Sequence, residues 1–146
     1  MRGAVGQLAS LPAGRRGRVG LFMGLDRAGK SFAAKTLTTA AQRDVLVVSL
    51  RRIVTKYIGE TEKNLARVFS EAERAGAMLL FDEAGALFGN RTDVKDSHDR
   101  YANRVITYLL RRALAFAGIA ILATSRKPTI PQSILQRFRV VYPPRA

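Results

Sequence analysis

The sequence contains no cysteine. That removes a disulfide framework and any thiolate metal site. There is one histidine, His98, which matches no catalytic or ligand role, so a zinc enzyme has almost nothing to build on. A chain without cysteine is at ease in a reducing cytosol, and the expected location is cytoplasmic. Acidic residues are scarce: 11 Asp+Glu stand against 25 Lys+Arg, a formal net charge of +14. Such an excess attracts nucleic acid, anionic membranes and phosphate ligands. The cations are spread along the chain, however, with no basic block beyond Arg15, Arg16 and Arg18. Charge alone therefore names no ligand, and nucleic acid stays open as a partner. Long apolar runs are also lacking. The longest, Ala113 to Ala123, is well short of the ~18 residues a spanning helix needs, so no membrane role is expected. The first eighteen residues, MRGAVGQLASLPAGRRGR, carry no acid and no apolar stretch of the secretory kind. Residues 1–17 are expected to form a loose, flexible basic leader.

What is present suits one folded domain over residues 18–146. The length of 146 residues fits one domain better than two, and 47% hydrophobic with 25% charged residues argues against general disorder. Short apolar runs alternate with amphipathic stretches. Arg18–Met23, Val45–Leu50, Ala77–Asp82, Gly118–Thr124 and Arg139–Tyr142 read as strands. Lys30–Ala41 reads as a helix. Lys63–Ala75 places Leu65, Val68, Phe69 and Ala72 on one helical face, and Ser97–Phe116 does the same with Tyr101, Val105, Tyr108, Leu109 and Ala113. Strands that are apolar throughout and alternate with helices imply a parallel sheet covered on both faces, an α/β fold.

Two patterns carry chemistry. Gly24-Leu25-Asp26-Arg27-Ala28-Gly29-Lys30-Ser31 matches G-x-x-x-x-G-K-[ST], the phosphate-binding loop. It follows an expected strand and opens an expected helix. In such a loop the backbone amides and the helix N-terminus supply positive potential. Lys30 can then reach the β- and γ-phosphates, and Ser31 can ligate Mg²⁺. The bland alternative is a glycine turn with a surface lysine. The second pattern is Met78-Leu79-Leu80-Phe81-Asp82-Glu83, a strand that delivers two carboxylates to its C-terminal edge, where open α/β sheets bind ligands. Asp82 would hold the Mg²⁺ shell. Glu83 would orient and deprotonate an attacking water.

These motifs sit in an order that resembles the α/β core of an AAA+ ATPase, close to the bacterial branch similar to the Cdc48-type unfoldases. Val54 to Leu65 (VTKYIGETEKNL) is similar to that family's first pore loop and following helix. Asp82 to Gly89 resembles its extended Walker B segment, Ile121 to Arg126 its sensor-1 strand end, and Leu135 to Arg139 its arginine-finger segment. The resemblance covers roughly residues 18–144. It implies a three-layer P-loop NTPase fold with a five-stranded parallel sheet in the order 5-1-4-3-2, and ATP with Mg²⁺ as ligands. The implied ATP-binding set runs Gly24, Leu25, Asp26, Arg27, Ala28, Gly29, Lys30, Ser31 and Phe32, with Ser31 and Asp82 on the metal. The implied catalytic set is Glu83, Ser125 as γ-phosphate sensor, and Arg137, with Arg139 as second candidate, reaching a neighbouring subunit's phosphate. Lys56, Tyr57, Ile58 and Gly59 would line a ring pore and grip an unfolded polypeptide. The implied partners are a ring of further copies or a full-length AAA+ protein, and a polypeptide substrate.

The chain also departs from the family pattern. Leu25, Asp26, Arg27 and Ala28 stand where Pro-Pro-Gly-Thr-like residues are usual, Ser125 replaces an Asn, and Gln136 stands where another Arg is common. No segment resembles the family's helical lid. The expected function is ATP hydrolysis coupled to protein remodelling. The alternatives are a nucleotide-binding module without useful turnover and a nucleic-acid-dependent ATPase.

Overall fold

The computed structural model describes residues 1–12, 15–57, 59–88, 97–128 and 130–143, without the side chains of 97–103. Every apolar run named as a strand forms one: β1 (Arg18–Phe22), β2 (Val45–Ser49), β3 (Met78–Asp82), β4 (Ile119–Ala123) and β5 (Val140–Tyr142). All neighbouring pairs are parallel, and the spatial order is β2-β3-β4-β1-β5. This is the expected 5-1-4-3-2 viewed from the other edge. The connecting helices are α2 (Arg27–Ala41), α3 (Leu50–Ile53), α4 (Glu60–Ala75), α5 (Gly85–Phe88), α6 (Ser97–Ala115) and α7 (Gln132–Leu135).

Side chains alternate across a strand, so each strand feeds both layers. Leu21, Phe81 and Leu122 join the core formed with α4 and α6, whereas Phe22, Leu80 and Ile121 join the core formed with α2. In the first core Phe69 of α4 meets Phe81 at 5.5 Å between ring centroids and Phe116 at 5.6 Å. Burying one such ring contributes roughly 1.5–3 kcal/mol. Val105, Leu109 and Ala113 of α6 are buried on the same side, as the helical stripe predicts. Tyr101, the first residue of that stripe, has its side chain outside the described set.

The N-terminal segment corrects the expectation of a loose leader. Arg2–Ala9 forms a helix, α1, with Val5 and Leu8 fully buried beside α2 and the sheet. The cause lies partly on β1: a Cβ on Gly20 would come 2.9 Å from Leu8 Cδ1, so the glycine lets Leu8 seat against the strand without shifting. Arg16, expected to be loose, is engaged as well, as is Arg18 at the start of β1. Arg16 donates to the carbonyl of Ala115, and Arg18 donates to that of Ala117 at 3.0 Å.

Two helix starts also differ from the sequence reading. α4 begins at Glu60 rather than Lys63, after Gly59 turns the chain at φ 84°. Glu60 and Glu62 then occupy its first turn, where negative charge complements the helix dipole. α2 begins at Arg27 rather than Lys30, for a reason that lies in the site itself.

Candidate nucleotide site

In a parallel sheet all strands end on the same edge. Here the ends of β1, β3 and β4 bring the phosphate-loop motif, the two carboxylates and Ser125 together. Lys30 on α2 extends its ammonium to Asp82 Oδ1 at 2.8 Å and donates to Ser125 Oγ at 2.9 Å. Asp82 Oδ1 also accepts the Glu83 amide at 2.7 Å. Glu83 lies just past β3 with φ 57°, an unusual conformation for a side-chain-bearing residue. Ser49, the last residue of β2, donates to Glu83 Oε2 at 2.5 Å. A cavity of about 430 Å³ is lined by Arg27, Lys30, Ser31, Asp82, Glu83 and Ser125, among others. A second, of about 490 Å³, adjoins it at Glu83 and Ser125 and adds Arg51, Arg126 and Lys127. At the opposite edge of the sheet a cavity of about 400 Å³ is lined by no residue of the phosphate loop and by neither Asp82 nor Glu83.

The loop before α2 is tightly bonded. Gly24, at φ 74°, donates its amide to Arg126 O at 3.3 Å, and Leu25 donates to Thr124 O at 2.9 Å. Leu25 is buried in the core between the sheet and α2, so its side chain does not face a ligand. Asp26 is the N-cap of α2, and its Oδ1 accepts the Gly29 amide at 2.7 Å. That cap starts the helix three residues early, and Arg27 and Ala28 are wound into its first turn. Phe32, implied as an ATP contact, lies on the outer side of α2 under the Arg2 guanidinium, 5.4 Å from the ring centroid.

Other implied residues sit apart from this cleft. Arg137 is exposed in the turn after α7, and Arg139 is exposed while its amide pairs with Val19 O at 2.8 Å. Neither lines the cleft. Lys56 and Tyr57 are exposed between α3 and α4, with the Lys56 ammonium 5.5 Å from the Tyr57 ring centroid. Gly59 caps α4, and Ile58 lies outside the described residues. Thr124, a second hydroxyl beside Ser125, is buried and donates to Arg126 O, which takes it away from the cleft. Ser49 is the residue that sequence reasoning missed. Its signal was positional: a polar residue closing an apolar strand, in register with Asp82.

The family model described as "ATPase family associated with various cellular activities (AAA)" matches residues 20–145. The chain belongs to the AAA family. Similar relatives include the ATPase family gene 2 protein of Schizosaccharomyces pombe, 30% identical over 122 residues, which are 82% of this chain and 15% of the relative. The peroxisomal ATPase PEX6 of Dictyostelium discoideum is 30% identical over 128 residues, 85% of this chain and 10% of that protein. An uncharacterised AAA family ATPase, y4kL, of Sinorhizobium fredii is 28% identical over 120 residues, 81% of this chain and 36% of that protein. The AAA domain described here thus spans between about a tenth and about a third of the length of these relatives.

Proposed function

We propose that this AAA domain binds ATP with Mg²⁺ and hydrolyses it, and that hydrolysis in a ring of subunits drives remodelling or unfolding of a polypeptide in the cytoplasm. The observation that carries the reading is the convergence of Lys30, Asp82, Glu83 and Ser125 on one cleft behind a phosphate-loop motif. Lys30 would exchange its Asp82 partner for the β- and γ-phosphates. Ser31 and Asp82 offer a hydroxyl and a carboxylate in the same cleft, which are the hard oxygen donors Mg²⁺ takes. Among the described residues no cluster of three His, Cys, Asp or Glu could hold a metal. This fits an ion completed by the nucleotide's own oxygens. When bound, Mg²⁺ supplies positive charge to the phosphate oxygens. Glu83 would take the proton of the attacking water, and Ser125 would hydrogen-bond the γ-phosphate. Arg137, outside its own subunit's cleft, suits a role across an interface. The exposed Tyr57 suits contact with an extended polypeptide.

A second reading, nucleotide binding without useful turnover, is favoured by the tightly bonded loop around Asp26. A mixing experiment separates the two. Arg137→Ala should lower kcat on the order of 10³-fold with nucleotide affinity unchanged. Arg137→Ala and Glu83→Gln chains, each inactive alone, should regain activity when mixed, at interfaces where an intact Arg137 faces an intact Glu83. Specific activity that stays flat on dilution, with Arg137→Ala as active as the unmodified chain, would sink the ring mechanism.

A further inference from the structure

A phosphate-binding loop works because successive amides and the first turn of the following helix aim at an external oxyanion. In this chain the loop carries an anion of its own. The Gly29 amide, immediately before the phosphate-binding lysine, donates to Asp26 Oδ1 at 2.7 Å. The next amide, that of Lys30, donates to the Asp26 backbone carbonyl at 2.9 Å. Upstream, the Gly24 and Leu25 amides are held by the carbonyls of Arg126 and Thr124. The Lys30 ammonium is engaged by Asp82 and Ser125. Arg27, Ala28 and Gly29 are helix rather than open loop. The contact is close: a Cβ on Gly29 would sit 3.2 Å from Asp26 Oδ1 and 3.4 Å from Leu25 Cβ.

A carboxylate resembles a phosphate in charge and in the spacing of its oxygens, and it binds a helix N-terminus for the same reasons. We infer that the Asp26 carboxylate occupies the place of a nucleotide phosphate and holds the loop closed against it. For ATP to bind, Asp26 must release the Gly29 amide, and the first turn of α2 must open so that its amides face the triphosphate. Asp26 is thus the residue that sets nucleotide affinity in this chain. If the exposed Asp26 carboxylate stayed in contact with a bound triphosphate, like charges would meet and oppose binding, the more so at low salt. Arg27, which lines the cleft, is the residue placed to pair with the phosphates once the turn opens. This inference rests on the ATP-binding reading above.

Two substitutions separate charge from capping. Asp26→Ser keeps a neutral N-cap acceptor, and Asp26→Gly removes the acceptor while remaining tolerable at an N-cap. Calorimetric titration with Mg²⁺-ATP should give Asp26→Ser a Kd at least about tenfold tighter than that of the unmodified chain. Lys30→Ala serves as the non-binding control. Amide exchange measured without nucleotide should show Gly29 protected in the unmodified chain and exposed in Asp26→Gly. Rapid exchange at Gly29 in the unmodified chain overturns the inference without any substitution. Equal or weaker ATP affinity in Asp26→Ser, with Lys30→Ala inert, overturns the inference and leaves the ATP site standing. ATP binding by neither the unmodified chain nor the two Asp26 variants overturns the ATP-binding reading, and this inference with it. Binding by the variants alone supports the inference most strongly.

Discussion

The end of β3 and the loop after β1 lie side by side, carry the two strongest motifs of the sequence, and behave differently. Asp82 and Glu83 are placed by the sheet. Register with β2 and β4 fixes where β3 ends, so both carboxylates arrive at the cleft whatever fills it. Past Leu25, whose amide still pairs with Thr124 O, the loop has no ladder to hold it. Its conformation follows from which acceptor its amides find, and in this chain the nearest acceptor is Asp26. A site built on a strand end is therefore robust to its own sequence, whereas a site built from backbone amides is set by one neighbouring side chain.

Substitutions on either side test this contrast. The largest effect falls on the strand end. Glu83→Gln should keep ATP binding and lower kcat by about 10²- to 10⁴-fold, because the amide orients water but cannot take its proton. Steady-state hydrolysis beside calorimetric binding checks both halves, and hydrolysis at the unmodified rate would remove Glu83 as the base. Next is Lys30→Ala, which cuts the side chain that joins the start of α2 to Asp82 at the strand end. Saturation at a hundred times Kd stabilises a protein by about 2.7 kcal/mol, a rise of roughly 8 °C in Tm for a chain of this size. The variant should show no ATP-dependent rise in thermal melting. A retained shift would mean that the phosphates bind elsewhere. The smallest effect is that of Ser49→Ala. Removing the hydroxyl that holds Glu83 Oε2 should raise kcat roughly two- to tenfold, the value of one hydrogen bond, with Kd unchanged. A fall in kcat would instead make Ser49 a residue that positions Glu83 productively.

Much of the fold was legible because buried parallel strands leave nearly unbroken apolar runs, as IAILA and MLLFD do here. The strand order came with the family resemblance rather than from the runs themselves. Of the site, Lys30, Asp82 and Glu83 were legible because short motifs fix them relative to strand ends, while Ser125 came with the family resemblance. α1 was not legible. Its sequence RGAVGQLA holds two glycines and buries two residues, Val5 and Leu8, and its docking depends on Gly20 in a distant segment. The early start of α2 was missed for a related reason. Read as a loop residue, Asp26 is an unfavourable charge beside phosphates; read as an N-cap it is favourable, and the choice turns on three-dimensional geometry.

The position of β1 bears on how the nascent chain gathers itself. β1 lies between β4 and β5, the last two strands to be made. β2 and β3 can pair as soon as both have left the ribosome, whereas Arg18 must wait for Ile119. At about 5–20 residues per second, that wait is on the order of ten seconds. During it Val19, Leu21 and Phe22 have no strand beside them, and the phosphate loop hangs from an unpaired segment. The sheet therefore grows from its β2 flank, and β1, made first, is paired only once β4 arrives, so the interval in which a chaperone would find most to hold coincides with the time when the nucleotide site does not yet exist.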